Sequence, residues 1–104
     1  MADIAKSIQI AVRTGKTILG AKESIRAVKH GDVKLVILAA NAPSSIKNDI
    51  IHYTNLSDPK IPIMDYEGSS LDLGFVCGKP HLVSVVSVQD PGDSDILQLV
   101  EESN

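Results

Sequence analysis

The sequence predicts an α/β fold in which helices cover both faces of a small sheet, and three observations carry that expectation. Segments with apolar residues at helical spacing alternate with short apolar runs of strand length along the whole chain. One of those runs, Val33 to Ala40, is almost continuously apolar, as expected of a strand covered on both faces. The 104 residues are 43% hydrophobic and 22% charged, the balance of a single compact domain over residues 1–104. A chain of this size buries enough surface to need neither disulfides nor a structural metal.

The elements follow in order. After Asp3, a possible N-cap, Ile4, Ile8, Ala11 and Val12 recur at helical spacing until Gly15 stops the pattern. Lys16 to Leu19 reads as a short extended link. Gly20 precedes a second helix, with Ala21, Ile25 and Val28 as the buried stripe, Lys22, Arg26 and Lys29 towards solvent, and Gly31 as its close. The Val33–Ala40 strand is broken by Asn41-Ala42-Pro43. Ser44 or Ser45 then caps a third helix through Leu56, with Ile46, Ile50, Ile51 and Tyr53 on its inner side, and Asp58-Pro59 forms a turn. Ile61 to Met64 is a short strand, where Pro62 implies a start or an edge. Ser69-Ser70 opens a short helix carrying Leu71, Leu73, Gly74, Val76 and Cys77, ended by Gly78-Lys79-Pro80. Leu82 to Val88 is a further strand, and Asp93 caps a last helix with Ile96, Leu97 and Val100 inward.

The net charge of −3 and pI near 5.5 exclude a general polycation, yet the charge is divided. Residues 1–52 hold eight bases against four acids, a balance of +4, and residues 53–104 hold two against nine, a balance of −7. A positive patch on an acidic protein follows if the first half's bases share a face; solvated helix faces are the plainer reading.

Most catalytic readings fail. Gly15-Lys16-Thr17 imitates the end of a phosphate-binding loop, but Ile10 stands where that loop needs a glycine. Cys77 is the only cysteine and falls on an apolar pattern, so it forms no internal disulfide and reads as a small core residue. His30, His52 and His81 lie on separate elements without metal-ligand spacing. The first 13 residues lack a leader pattern and no apolar run spans a bilayer, so a cytoplasmic protein without catalytic residues, metal, cofactor or membrane partner is expected. The Asn55-Leu56-Ser57 sequon is then without meaning. Aromatic content of 3% excludes a sheet that stacks several unpaired bases.

Three segments remain able to contact RNA by backbone shape and a few base edges. Gly20 lets the backbone approach a phosphate at a helix start, and Lys22 and Arg26 add charge beside it. Glu23 is either a partner for the helix dipole or an acceptor for a guanine edge. Asn41 offers a donor and an acceptor to a base edge, or else serves turn chemistry at a helix entry. Gly78-Lys79-Pro80-His81 presents a cation and an imidazole, or is a plain loop.

Taken together, Gly15-Lys16-x-x-x-Gly20, Lys22 and the helix to Gly31, Lys34-Leu35-Val36-Ile37-x-Ala39-Ala40-Asn41-x-Pro43, Leu73-Gly74, Gly78-Lys79-Pro80-His81 and Gly92-Asp93-Ser94-Asp95-Ile96-Leu97 resemble large-subunit ribosomal proteins of the archaeal and eukaryotic type-thirty family, nearly end to end. That family lies in the kink-turn RNA-binding superfamily. The resemblance implies a three-layer α/β/α sandwich with a small mixed sheet between helices, and a monomer when free. It implies docking on ribosomal RNA in the large subunit, where tandem sheared G·A pairs bend the duplex. Gly20, Lys22, Glu23 and Arg26 inherit the groove contact, Asn41 a base contact, and Lys79, Pro80, His81 and Leu82 the contact with extruded nucleotides. Lys22 stands where the broader superfamily usually has Asn, which points to the ribosomal branch. Eukaryotic relatives tend to carry an aromatic and a basic residue where His81 and Leu82 stand, and the start of the chain has an archaeal look. The rival readings are a general kink-turn adaptor for small guide RNAs and, from another class, a small cytosolic enzyme or protein-interaction module on the same fold.

Overall fold

The computed structural model describes residues 4–103, with the side chains of 100–103 excepted. The elements are α1 (Ile4–Thr14), β1 (Lys16–Leu19), α2 (Ala21–Lys29), β2 (Leu35–Leu38), α3 (Ser44–Leu56), β3 (Ile63–Asp65), α4 (Ser70–Val76), β4 (Val85–Asp90) and α5 (Ile96–Ser103). Four strands form one sheet in the order β1-β4-β2-β3. β4 pairs antiparallel with both β1 and β2, while β3 pairs parallel with β2, so the sheet is mixed.

The period of two in the central strands divides the core. Leu35 and Ile37 of β2 and Val86 and Val88 of β4 face one side, where Ile8, Ala11, Leu73, Cys77 and Ile96 bring α1, α4 and α5 against them. Val36, Leu38 and Val85 face the other, against Ala27 and Val28 of α2 and Ile50 of α3. The result is the expected three layers. α5 is tied back to α1 by two side-chain bonds: Ser7 Oγ donates to Asp95 Oδ1 (2.6 Å) and Ser94 Oγ to the Ser7 carbonyl (2.6 Å).

Several local expectations are corrected. Lys16–Leu19 is strand β1, made so by pairing with the last residues of β4. The apolar run at 33–40 narrows to Leu35–Leu38 as strand, although Val33 and Ala39 are buried. β3 begins at Ile63; it is an edge strand, and Pro62 lies just ahead of it, accepting from Val36 N (3.1 Å). Leu82 and Val83 precede β4, because the Val83 amide is spent on the Ser70 carbonyl of α4 (3.0 Å). Pro43, without a side-chain cap, occupies the N-cap of α3, and Ser44 and Ser45 fall inside the helix. Ile51 is 45% exposed, since the buried row of α3 runs through Ile50 and Thr54. Ser94 Oγ meets the first amide of α5, that of Ile96, while the Asp93 amide donates to Thr14 Oγ1. Ser69 does cap α4, in a reciprocal box with Asp72. The Asp3 cap and the inward Val100 side chain fall outside the described residues.

Ser87 Oγ is fully buried in β4 with no hydrogen-bond partner among the described residues. An unsatisfied buried hydroxyl costs about 1–3 kcal/mol. Ser87→Ala is therefore expected to raise stability by about 1 kcal/mol in denaturant unfolding, and a loss of stability would refute an unpaired hydroxyl. Burial pushes the Cys77 thiol up to about 11 against a smaller opposing pull from Lys79. At pH 8 the thiol is thus protonated and shielded, and alkylation followed by mass spectrometry should label it only after unfolding.

Candidate nucleic-acid interface

The start of β4 draws the three candidate segments together. Gly20 N donates to Val85 O (2.9 Å) on one side, and Ala39 N donates to Ser84 O (2.9 Å) on the other. Asn41, two residues on, accepts the Ser70 amide on its Oδ1 (2.7 Å), and Ser70 O in turn accepts the Val83 amide (3.0 Å). Gly20, Asn41 and the loop leading into β4 therefore share one end of the sheet.

Gly20 is the N-cap of α2, at φ 121° and ψ 148°, a conformation closed to most side chains. Its surroundings are open: a Cβ built there meets nothing within 4 Å. Conformation, and not crowding within the domain, is what demands glycine. The first α2 amide with a helical partner is that of Ser24, which donates to Gly20 O (3.2 Å). The preceding amides have no intrahelical partner and, with no side-chain cap on Gly20, remain available to an anion. Lys22 and Arg26 are exposed one turn apart on the same face, with Glu23 beside them in the first turn. Lys29, further along, is committed elsewhere, its Nζ 4.6 Å from the centre of the Tyr53 ring.

Asn41 makes a bond that its spacing did not suggest, across to α4 and not within its own turn. Its carbonyl oxygen caps an orphan amide at the start of α4, which fixes the amide plane and leaves its NH2 as the outward donor. Lys47, which the sequence pattern did not single out, joins this corner: its Nζ donates to the Ala40 carbonyl (3.2 Å). Only its place one turn into α3, after the Asn41 break, could have pointed to it.

The Lys79–Leu82 loop is exposed throughout and is held by α4. Lys79 N donates to Gly74 O (2.9 Å), and Gly74 lies so close to the His81 carbonyl that any Cβ would collide with it. The His81 ring bonds through Nδ1 to the Leu82 carbonyl (3.2 Å).

Lys22 follows Gly20 and Lys47 reaches the Ala40 carbonyl, both close to the end of the sheet where β4 begins. Asp65 ends the edge strand at that same end, opposite Leu38, while Lys16 pairs with Asp90 at the other, so neither end carries one sign of charge alone. A surface cavity of about 810 Å³ sits away from this corner, between the C-terminal ends of α2 and α3 and lined by Lys29, Tyr53, Leu56 and Pro59. Two helix C-termini facing it make a poor setting for phosphate. Among the described residues no cluster of three or more His, Cys, Asp or Glu is placed to hold a metal. No described helix is long and apolar enough to cross a membrane.

Comparison with known proteins assigns the chain to a family. Large ribosomal subunit protein eL30 of Methanosphaera stadtmanae is 48% identical over 95% of this chain and 99% of its own length. The proteins of the same name from Methanobrevibacter smithii and Saccharolobus solfataricus are 54% and 46% identical, covering 93% and 88% of this chain and 96% and 82% of theirs. These names describe a ribosomal protein and not an enzyme. A solved structure of a protein with unknown function from Bacillus halodurans C superposes with a TM-score of 0.80 at 27% identity, over 98% of this chain and 99% of that one. The pattern of the ribosomal protein L7Ae/L30e/S12e/Gadd45 family spans residues 2–98, and the chain belongs to that family.

Proposed function

We infer that this protein is a structural constituent of the large ribosomal subunit, in the cytoplasm, which binds a kink-turn in ribosomal RNA through the start of α2, Asn41 and the Lys79–Leu82 loop. The convergence of these segments on the first residues of β4 carries the reading. The names of the relatives support the ribosomal setting over a small-RNA adaptor or an enzyme.

Each part has a chemical task. The free amides at the start of α2 and the Lys22 and Arg26 cations hold phosphates where the duplex bends. Glu23, flanked by those cations, accepts from the amino and imino groups of a guanine, as its place beside the groove allows. The Asn41 NH2 donates to a base acceptor, its other end being tied to Ser70. Lys79 supplies charge to the backbone of nucleotides that leave the stack, and Pro80, His81 and Leu82 shape the surface they meet. The free chain acts as a monomer in this role.

Gly20→Val tests the helix start. The branched side chain must occupy a positive φ and stands where RNA docks, so a stability loss of about 1–3 kcal/mol and a larger loss of RNA affinity are expected. Circular dichroism establishes the fold and a binding titration reads the second effect. A folded variant with the parent's affinity would overturn docking at α2.

Charge and base reading separate by substitution. Lys79→Ala should weaken all RNAs alike and flatten the dependence of log K on log salt by about 0.7–0.9 for each phosphate that is no longer neutralised. Glu23→Ala should instead narrow the gap between a G·A-containing kink-turn and a paired duplex, by roughly 1–3 kcal/mol. Asn41→Ala should also lose the bond to the Ser70 amide, about 0.5–1.5 kcal/mol of stability, whereas Asn41→Asp keeps an acceptor for Ser70 and loses only the donor. Equal losses on both RNAs for the Glu23 and Asn41 variants would reduce these residues to supports of the fold.

A further inference from the structure

We propose that the cavity between the C-terminal ends of α2 and α3 is a docking groove for an acidic protein segment that carries a large apolar side chain. It lies at the opposite end of the sheet from the proposed RNA surface. Lys34, on its wall, donates its amide to Val88 O (2.8 Å), where β2 begins and β4 nears its close. The floor is apolar: Val28, Val33 and Ile61 are buried, Tyr53 is half-buried, and Leu56 forms a wall that is 68% exposed. The volume of about 810 Å³ falls within the roughly 300–1,000 Å³ of ligand clefts. A second cavity, of about 530 Å³, borders the same residues 60–62 and reaches the exposed Ile51 of α3. Apolar surface thus continues across 60–62, and a length of extended chain matches it better than a compact ligand.

Charge identifies the occupant. Among the side chains lining the larger cavity, Lys29, Lys34 and Lys60 stand against one acid, Asp58. Lys34 and Lys60 have no ion-pair partner among the described residues, and Lys29 lies over the Tyr53 ring. The C-termini of α2 and α3 each add roughly −0.5 charge, which leaves the groove a balance of about +1 before any contribution from His30. That is a weak field for a phosphate chain set against the carbonyls of two helix ends. It suits carboxylates held at the lysine rim while an apolar side chain fills the floor. The proposal stands apart from the RNA reading, and the two surfaces are far enough round the domain to be occupied together.

Selection from a random peptide library displayed on phage, run against the immobilised full chain, should enrich peptides with a large apolar residue flanked by Asp or Glu. A selected peptide, synthesised with a fluorescent label, should bind more weakly as salt rises. Lys34→Glu combined with Lys60→Glu should cost roughly fivefold or more in peptide affinity through the rim charge, and Leu56→Ser roughly tenfold through the apolar wall. Both variants should melt as the parent does and keep the parent's affinity for a kink-turn RNA. Failure to enrich acidic peptides, or parental peptide affinity in either variant, would overturn the groove. Displacement of the labelled peptide by a plain RNA duplex would overturn it in favour of a polyanion surface. Self-association in sedimentation that Leu56→Ser abolishes would give the groove to a second copy and overturn an acidic partner. Peptide binding by a chain that binds no kink-turn would leave this proposal standing and remove the RNA reading alone.

Discussion

The two residues at the entry to β4 carry an uncommon share of the structure's obligations. Buried backbone groups must find partners, and here the carbonyls of Ser84 and Val85 satisfy amides from opposite sides, one from the end of β2 and one from the turn before α2. β4 is flanked by β1 and β2, so among the described strands it alone has antiparallel neighbours on both edges. Residues from the first fifth of the chain, the middle and the last quarter are fixed relative to one another by this one pairing. Without it, Gly20, Asn41 and the Lys79–Leu82 loop would be three unrelated surface turns.

Charge is mixed at both ends of the sheet. Leu38 faces both Asp65 of β3 and Val85 of β4, so an acid stands at the end where β4 begins, and Lys16 pairs with Asp90 at the other. The net charge of −3 therefore says little about what a polyanion meets on approach, which is set by the local group at the start of α2. The division seen along the sequence does not become a division in space.

The alternation of helix and strand patterns made the layers legible, and the helix at 21–29 and the break at Asn41 were placed by local chemistry. What stayed hidden depends on distant partners. Lys16–Leu19 is too short to declare itself a strand, and it becomes one by meeting β4 from some seventy residues away. Asn41 could be read as base contact or turn chemistry, because nothing local shows that its oxygen reaches Ser70. Lys47 looked like any helix cation, and its bond to the Ala40 carbonyl is tertiary. In α4, seven residues are too few for a period to say which apolar side chains face out, so the exposure of Leu71 and Phe75 was not foreseeable.

The tying of sequence-distant turns to one strand has a thermodynamic consequence for the folded state. A ligand spanning all three turns binds only when β1, β2 and β4 are assembled, and so its free energy of binding is coupled to global unfolding. Ligand at a hundredfold excess over its dissociation constant adds about 2.7 kcal/mol to the domain. A loss of that size in the isolated chain, such as that from a missing helix cap, would be offset in a complex of this kind. A site so occupied would act as a tertiary staple, and tolerance to sequence change in the core would become a property of the complex.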